Sequence, residues 1–269
     1  FKDLGLVYYE YKKYLKQNCS GDGNQDFHGN RDFYHLIKIF TRNIIKQNEN
    51  NSLNEDTAKE SAINSIERNF GGMNFDNKKS SVQKFKELLP KYYAKINISK
   101  DDDVVKRAQE NLNDKNSRYL LVITKGSVNF FLISSILIEK KACNFYIGSK
   151  FKNDLNKEEY ATKIMNKIQT DMENGNLIIL KDLETIYPLM YDLFNQNFTV
   201  LSEKNYARIS VGNSTNTFSL VHDNFKCIVN VDINQITEEE APFLNRFEKQ
   251  IISFEDILTK KQIDLSKEI

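Results

Sequence analysis

The sequence predicts an α/β fold: a parallel sheet with flanking helices and an inserted β-hairpin, preceded by an all-α helical domain. Three observations predict it. Apolar residues recur at helical spacing through the first hundred residues. At Ser117 the period changes to short, continuous apolar runs. From there, apolar runs alternate with helical stretches, the pattern of strands joined by crossover helices.

In the helical part, residues 4–15 place Leu4, Val7, Tyr8, Tyr11, Tyr14 and Leu15 close to a 3.6-residue period. A polar Gly/Asn/Asp loop follows at 18–24. Residues 31–47 carry Phe33, Leu36, Ile37, Phe40, Ile44 and Ile45 on one stripe. Residues 56–70 form a third helix that stops at Gly71-Gly72, and 80–89 a fourth that stops at Pro90. The charged stretch 101–116 reads as a helix edge or linker.

In the α/β part, the run RYLLVIT at 118–124 reads as a buried parallel strand, and 128–138 as a helix. A short strand at 144–147, a helix at 158–173 and a strand at 177–180 follow, then a helix at about 185–195. Residues 206–211 and 217–221 flank a Gly-Asn-Ser-Thr-Asn turn and read as a hairpin. The chain closes with a strand at 227–231, a short helix near 238–247, a strand at 250–253 and a helix from Phe254. The expected domains are therefore 1–115 and 116–269.

Composition narrows the functional classes. The 269 residues carry 38 Lys plus Arg against 37 Asp plus Glu, which argues against a strongly basic nucleic-acid surface. Cys19, Cys143 and Cys227 lie far apart, form no CxxC pair, and gain no zinc-ligand spacing from His28, His35 or His222. They read as reduced cysteines of a reducing compartment. No apolar run reaches the roughly 18 residues of a transmembrane helix. The opening at Phe1, inside a helical pattern and without a basic leader, predicts a piece of a longer chain with no signal peptide of its own. Arginine is the rare charge, 7 against 31 lysines, so each arginine is worth inspecting.

Several residues have the chemistry of a nucleotide site. The first strand ends Ile123-Thr124-Lys125-Gly126-Ser127, with one lysine and one glycine but no GxxxxGK followed by Ser or Thr. Lys125 reads as a turn residue. Asp182 and Glu184 follow the third apolar strand, where a magnesium-holding acid and a water-polarising acid sit in phosphoryl-transfer enzymes. One residue separates them, and helix-start carboxylates are the simpler reading. Asn230, late in its strand, suits either orientation of a water or a turn cap. Arg246, between a short helix and the last strand, has the placement of an arginine finger; from spacing alone, a salt bridge to Glu248 or another nearby acid is the simpler expectation. Arg31 opens a helix, where positive charge is mildly unfavourable, with Asn30 or Asp32 as the cap.

Six segments together resemble the mysterin family of giant AAA+ ring-finger E3 ubiquitin ligases. They are GNRDFYHLIKIF (29–40), SIERNFGG (65–72), SRYLLVITK (117–125), FYIGSKF (145–151), MENGNLIILKDLETIYPLMYDLFNQNF (172–198) and PFLNRFEKQ (242–250). The resemblance covers most of the chain, and the first and last segments are its most specific parts. It implies an AAA+ type sheet in a cytoplasmic protein. Residues 1–115 would be the helical lid of the fourth AAA unit. Residues 116–269 would be a degenerate fifth unit, with its own lid starting at about 254 and a hairpin at 206–221 like the pre-sensor-1 hairpin of related AAA+ proteins. Arg31 falls at the sensor-2 position and Arg246 at the arginine-finger position, both serving the ATP and magnesium of the preceding unit. Asn230 is a sensor-1 candidate of an inactive site, and Walker B function is not carried to Asp182 and Glu184. The implied partners are neighbouring AAA units of the same polypeptide, with E2 and ubiquitin engaging the parent. Zinc belongs to the parent's RING, outside this chain. Two other readings stay open on the residues alone: a purely structural interaction module, and an unrelated doubly wound enzyme acting on a small molecule at the strand ends.

Overall fold

The computed structural model describes residues 1–18, 29–72, 81–91, 103–124, 129–138, 142–149, 151, 158–210, 217–236 and 241–268. The chain divides into two compact units, 1–107 with 236–251 and 108–235 with 252–269.

The helical unit is built from α1 (Lys2–Asn18), α2 (Asn30–Glu49), α3 (Glu55–Phe70) and α4 (Ser81–Leu88), the last running into a 3-10 turn at Leu89–Lys91. The apolar stripes read from the sequence form its core: Leu4, Val7, Tyr11 and Leu15 of α1 pack with Leu36, Ile66, Phe70 and Phe85. Aromatic rings supply much of that core. Tyr11 stacks on Phe85 with centroids 4.1 Å apart, and Phe70 lies 4.5 Å from Phe85. The start of α3 is fixed by a reciprocal cap. Asn54 Oδ1 accepts from the Asp56 and Thr57 amides at 2.9 Å, and Thr57 Oγ1 accepts from the Asn54 amide.

The charged stretch expected as an edge or linker is instead a helix, α5 (Val104–Asn113). Val104, Val105, Ala108 and Leu112 keep helical spacing along it, and Ala108 and Leu112 are buried beside the polar Arg107 and Asn111, so the period was present in the sequence beneath the charges. Arg107 reaches Glu67 at 3.0 Å, Asn111 Nδ2 donates to the Arg118 carbonyl, and Ser117 Oγ donates to the Asn111 carbonyl.

The sheet of the α/β unit has β1 (Leu120–Thr124), β2 (Cys143–Ile147), β3 (Leu177–Lys181) and β7 (Lys226–Asp232), ordered β2-β3-β7-β1, while β8 (Glu248–Ile251) falls in the helical unit. Pairings β2–β3, β3–β7 and β7–β1 are parallel. The inner strands β1 and β3 are buried at every position, which explains their continuous apolar runs. Helices α6 (Asn129–Ile138) and α7 (Glu158–Asn174) lie in the connections. The loop leaving β2 requires Gly148: a Cβ there would fall 1.5 Å from the Asp182 carbonyl oxygen, and the Gly148 amide donates to the Lys181 carbonyl. Asp171 of α7 accepts from Tyr146 Oη, Asn144 Nδ2 and Asn176 Nδ2 at 2.6–2.8 Å.

The expected hairpin is present as β5 (Lys204–Ile209) and β6 (Thr217–Val221), but it belongs to a three-stranded antiparallel sheet that includes β4 (Thr199–Leu201). The turn at 212–216 lies outside the described residues. The helix expected at 185–195 is split into a 3-10 turn, Tyr187–Met190, and a short helix, α8 (Tyr191–Phe194). Helix α9 is Ala241–Leu244, and β8 begins two residues earlier than the sequence suggested. The closing helix is α10 (Lys260–Glu268).

Candidate functional site

Both candidate arginines belong to the helical unit. Arg31 is exposed in the first turn of α2, whose N-cap is Gly29. Asp32 is buried beside it: its Oδ2 accepts from the Gly29 amide at 3.0 Å, and its amide donates to the Gly29 carbonyl. Asp32, not Asn30, therefore serves this helix start. Two further bonds pin the turn. Tyr8 Oη donates to the Gly29 carbonyl at 2.7 Å, and Asn69 Nδ2 donates to the Asp32 carbonyl at 2.8 Å. Burial, with the Asp32 charge second, pushes the Tyr8 hydroxyl well above its ordinary range, so it stays a donor.

Arg246 sits half-buried in the turn between α9 and β8, where its amide donates to the Phe243 carbonyl. The residues after it are held tightly. Glu248, Lys249 and Gln250 are all at most 1% exposed. The Glu248 carboxylate accepts from Arg68 Nε at 2.8 Å and Arg68 Nη2 at 3.0 Å. The acid that spacing assigned to Arg246 is thus gripped at both oxygens by an arginine of α3. Lys249 Nζ donates to the carbonyls of Leu244 and Phe247, closing the turn around Arg246. Gln250 Nε2 reaches the Glu67 and Arg68 carbonyls at 3.4 Å. Gly71 and Gly72 lie directly against Lys249, and a Cβ on Gly72 would come within 2.8 Å of the Lys249 Cβ.

In the α/β unit, a second group of candidates collects at the carboxyl ends of the parallel strands. In the ladder, Val122 and Lys181 flank Asn230. Asn230 is buried and donates through Nδ2 to the Val122 carbonyl at 3.1 Å and to Thr124 Oγ1 at 3.2 Å. Its Oδ1 is buried without a hydrogen-bond partner. Asp182 follows β3 in a left-handed conformation, φ 54°, with Lys181 Nζ 3.3 Å from its carboxylate. Glu184 is exposed in the following turn. Lys125 and the rest of the loop at 125–128 lie outside the described residues. A phosphate needs several donors converging on it. Here the Asn230 amide donor is spent on β1, the Lys181 ammonium lies against a carboxylate, and the exposed and orphaned atoms are acceptors.

Among the described residues, no group of three or more His, Cys, Asp or Glu could hold a metal ion, and no helix is long and apolar enough to cross a membrane. Cys143 and Cys227 are free thiols; Cys19 and His28 lie outside the described residues.

The residues that the sequence reading missed are Arg68, Asn69 and Lys249, and it gave Glu248 to Arg246 rather than to Arg68. No local pattern marks a partner 180 positions away. The one signal was the segment SIERNFGG, where Glu67, Arg68 and Asn69 each prove to have a distinct partner and both glycines pack against Lys249.

Residues 109–258 match the family described as the RNF213 AAA domain. The chain is similar to the human E3 ubiquitin-protein ligase RNF213, with 27% identity over 91% of the chain and 5% of the relative. It is similar to the zebrafish (Danio rerio) E3 ubiquitin-protein ligase rnf213-beta, with 28% identity over 86% of the chain and 4% of the relative. A Dictyostelium discoideum protein named as a putative uncharacterized transmembrane protein is 27% identical over 74% of the chain and 4% of its own length. The chain spans about one twentieth of the length of the curated relatives it matches.

Proposed function

The chain belongs to the RNF213 AAA domain family, the mysterin family that its motifs resemble, and on that premise we propose that it is a non-hydrolysing segment of an AAA+ motor core in a cytoplasmic E3 ubiquitin-protein ligase. Residues 1–115 act as the lid of a preceding AAA unit, and 116–269 as a degenerate AAA core whose own lid begins at about 254. Arg31 acts as sensor 2 and Arg246 as the arginine finger for ATP held with magnesium by the preceding unit. Neighbouring AAA units of the same polypeptide are its direct partners. E2, ubiquitin and the RING zinc belong to the parent protein.

The observation that carries this reading is the mounting of Arg246. Its turn is closed by Lys249 and followed by a strand start buried from Glu248 to Gln250, so the backbone that carries Arg246 is a fixed base. An arginine suits the role because its planar fork binds phosphate oxygens at two points and stays charged at every physiological pH. Charge grows on the equatorial oxygens of a transferring phosphoryl group, and a positioned guanidinium offsets it there. The chain's own strand-end cluster presents acceptors instead, which supports a core that does not hydrolyse.

Calorimetry of this chain with ATP and magnesium tests the non-hydrolysing part. The reading expects no heat of binding at micromolar ATP. A saturable micromolar isotherm would place phosphates on the chain's own strand ends and overturn it.

A further inference from the structure

We propose that Arg68 and Asn69 are positioning residues: neighbours on the last turn of α3, they hold the Arg246 segment and the Arg31 segment in one frame. The proposal rests on the nucleotide roles given to those two arginines above. Successive helical residues point about 100° apart, so one turn can address two different neighbours. Arg68 grips Glu248, two residues after Arg246, through two hydrogen bonds. Asn69 donates to the Asp32 carbonyl, one residue after Arg31. Arg68, Asn69, Asp32 and Glu248 are all at most 3% exposed. The preceding residue, Glu67, accepts from Lys86 at 2.6 Å and Arg107 at 3.0 Å, which anchors the same turn to α4 and α5. Gly71 and Gly72 then bring the α3 terminus against the Lys249 backbone.

Stability alone does not account for this arrangement. A buried ion pair gains little over well-packed apolar side chains of the same size, because both charges lose their hydration. A bidentate guanidinium–carboxylate pair does supply fixed distance and orientation, which a phosphate-contacting arginine requires. Displacing such a group by about 1 Å costs turnover far more than it costs ground-state binding.

The test is steady-state ATP hydrolysis by the parent protein carrying Arg68→Met together with Glu248→Met, with a melting temperature measured alongside. The expected result is a folded protein whose kcat falls on the order of 10- to 100-fold while its KM for ATP stays within about twofold. Parental kcat in that folded variant overturns the positioning role. Should the paired variant fail to fold, Arg68→Lys decides, since it keeps the charge but not the fork. Lowered kcat at unchanged KM supports the proposal, and parental kcat overturns it. Arg246→Ala, run in parallel, separates the two claims. If Arg246→Ala is slow and the methionine pair is not, the positioning role alone fails. If Arg246→Ala hydrolyses like the parent, the arginine-finger reading fails and the positioning role with it.

Discussion

Arg68 and Glu248, 180 residues apart in sequence, form a two-point ion pair sealed from water: Nε and Nη2 of the arginine lie 2.8 and 3.0 Å from the two carboxylate oxygens. Removing one partner leaves the other charged and buried. Glu248→Ala is expected to lower the unfolding free energy by about 3–5 kcal/mol in urea titrations. Replacing both residues with methionine should restore most of that loss. Equal midpoints for Glu248→Ala and the unmodified chain would mean that the pair is open to solvent.

The two glycines that end α3 are held to their identity by space and by backbone angle. Gly72 has φ +77°, and a Cβ there would lie 2.8 Å from the Lys249 Cβ and 2.9 Å from its carbonyl carbon. The left-handed angle costs an alanine about 1–2 kcal/mol before any clash. Gly72→Ala is expected to exceed that cost, because backbone atoms cannot move aside as a flexible side chain would. A stability change below about 0.5 kcal/mol would show that the Lys249 strand yields, contrary to its burial.

Asp171 makes the acid limb of stability testable. Burial works against its charged form, but hydrogen bonds from Tyr146, Asn176 and Asn144 outweigh it and hold the carboxyl below its ordinary range. A folded-state pKa below the unfolded value contributes stability that is complete above the ordinary carboxylate range. That contribution is lost as pH falls through the folded value. Tyr146→Phe removes one of the three donors, so acid unfolding should begin at higher pH than in the unmodified chain. Circular dichroism across an acid titration reads this directly, and coincident curves would contradict it.

Cys227 lies inside β7, and burial pushes its thiol far above the ordinary range. The thiolate is the reactive form, so Cys227 should resist a disulfide reagent at mildly alkaline pH until the chain unfolds. Mass mapping of the labelled residues checks this. Labelling of Cys227 in the native protein at the rate of a free thiol would contradict its place in the sheet.

The sequence revealed the elements whose burial is regular, and concealed those defined by polar partners or by brevity. Strands β1, β3 and β7 announced themselves because the sheet buries nearly all their positions. Strand β4 did not: its three residues are all exposed, and the turn to β5 places Ser202 and Glu203 at positive φ without a glycine to mark it. Helix α5 read as a linker on its overall charge, although Val104, Val105, Ala108 and Leu112 keep helical spacing; its buried Arg107 and Asn111 pair with Glu67 and with the Arg118 carbonyl. At the candidate site, Arg31 and Arg246 were legible as rare arginines at motif positions. Their mounting was not, since it depends on Arg68 and Asn69 reaching residues 180 and 37 positions away.

The central claim is that Arg246 completes a nucleotide site belonging to the preceding AAA unit. ATP turnover of the parent protein carrying Arg246→Ala tests it most directly, with nucleotide binding measured in the same preparation. The account predicts turnover reduced on the order of 10³-fold, with ATP still bound. Turnover equal to that of the unmodified parent would contradict it.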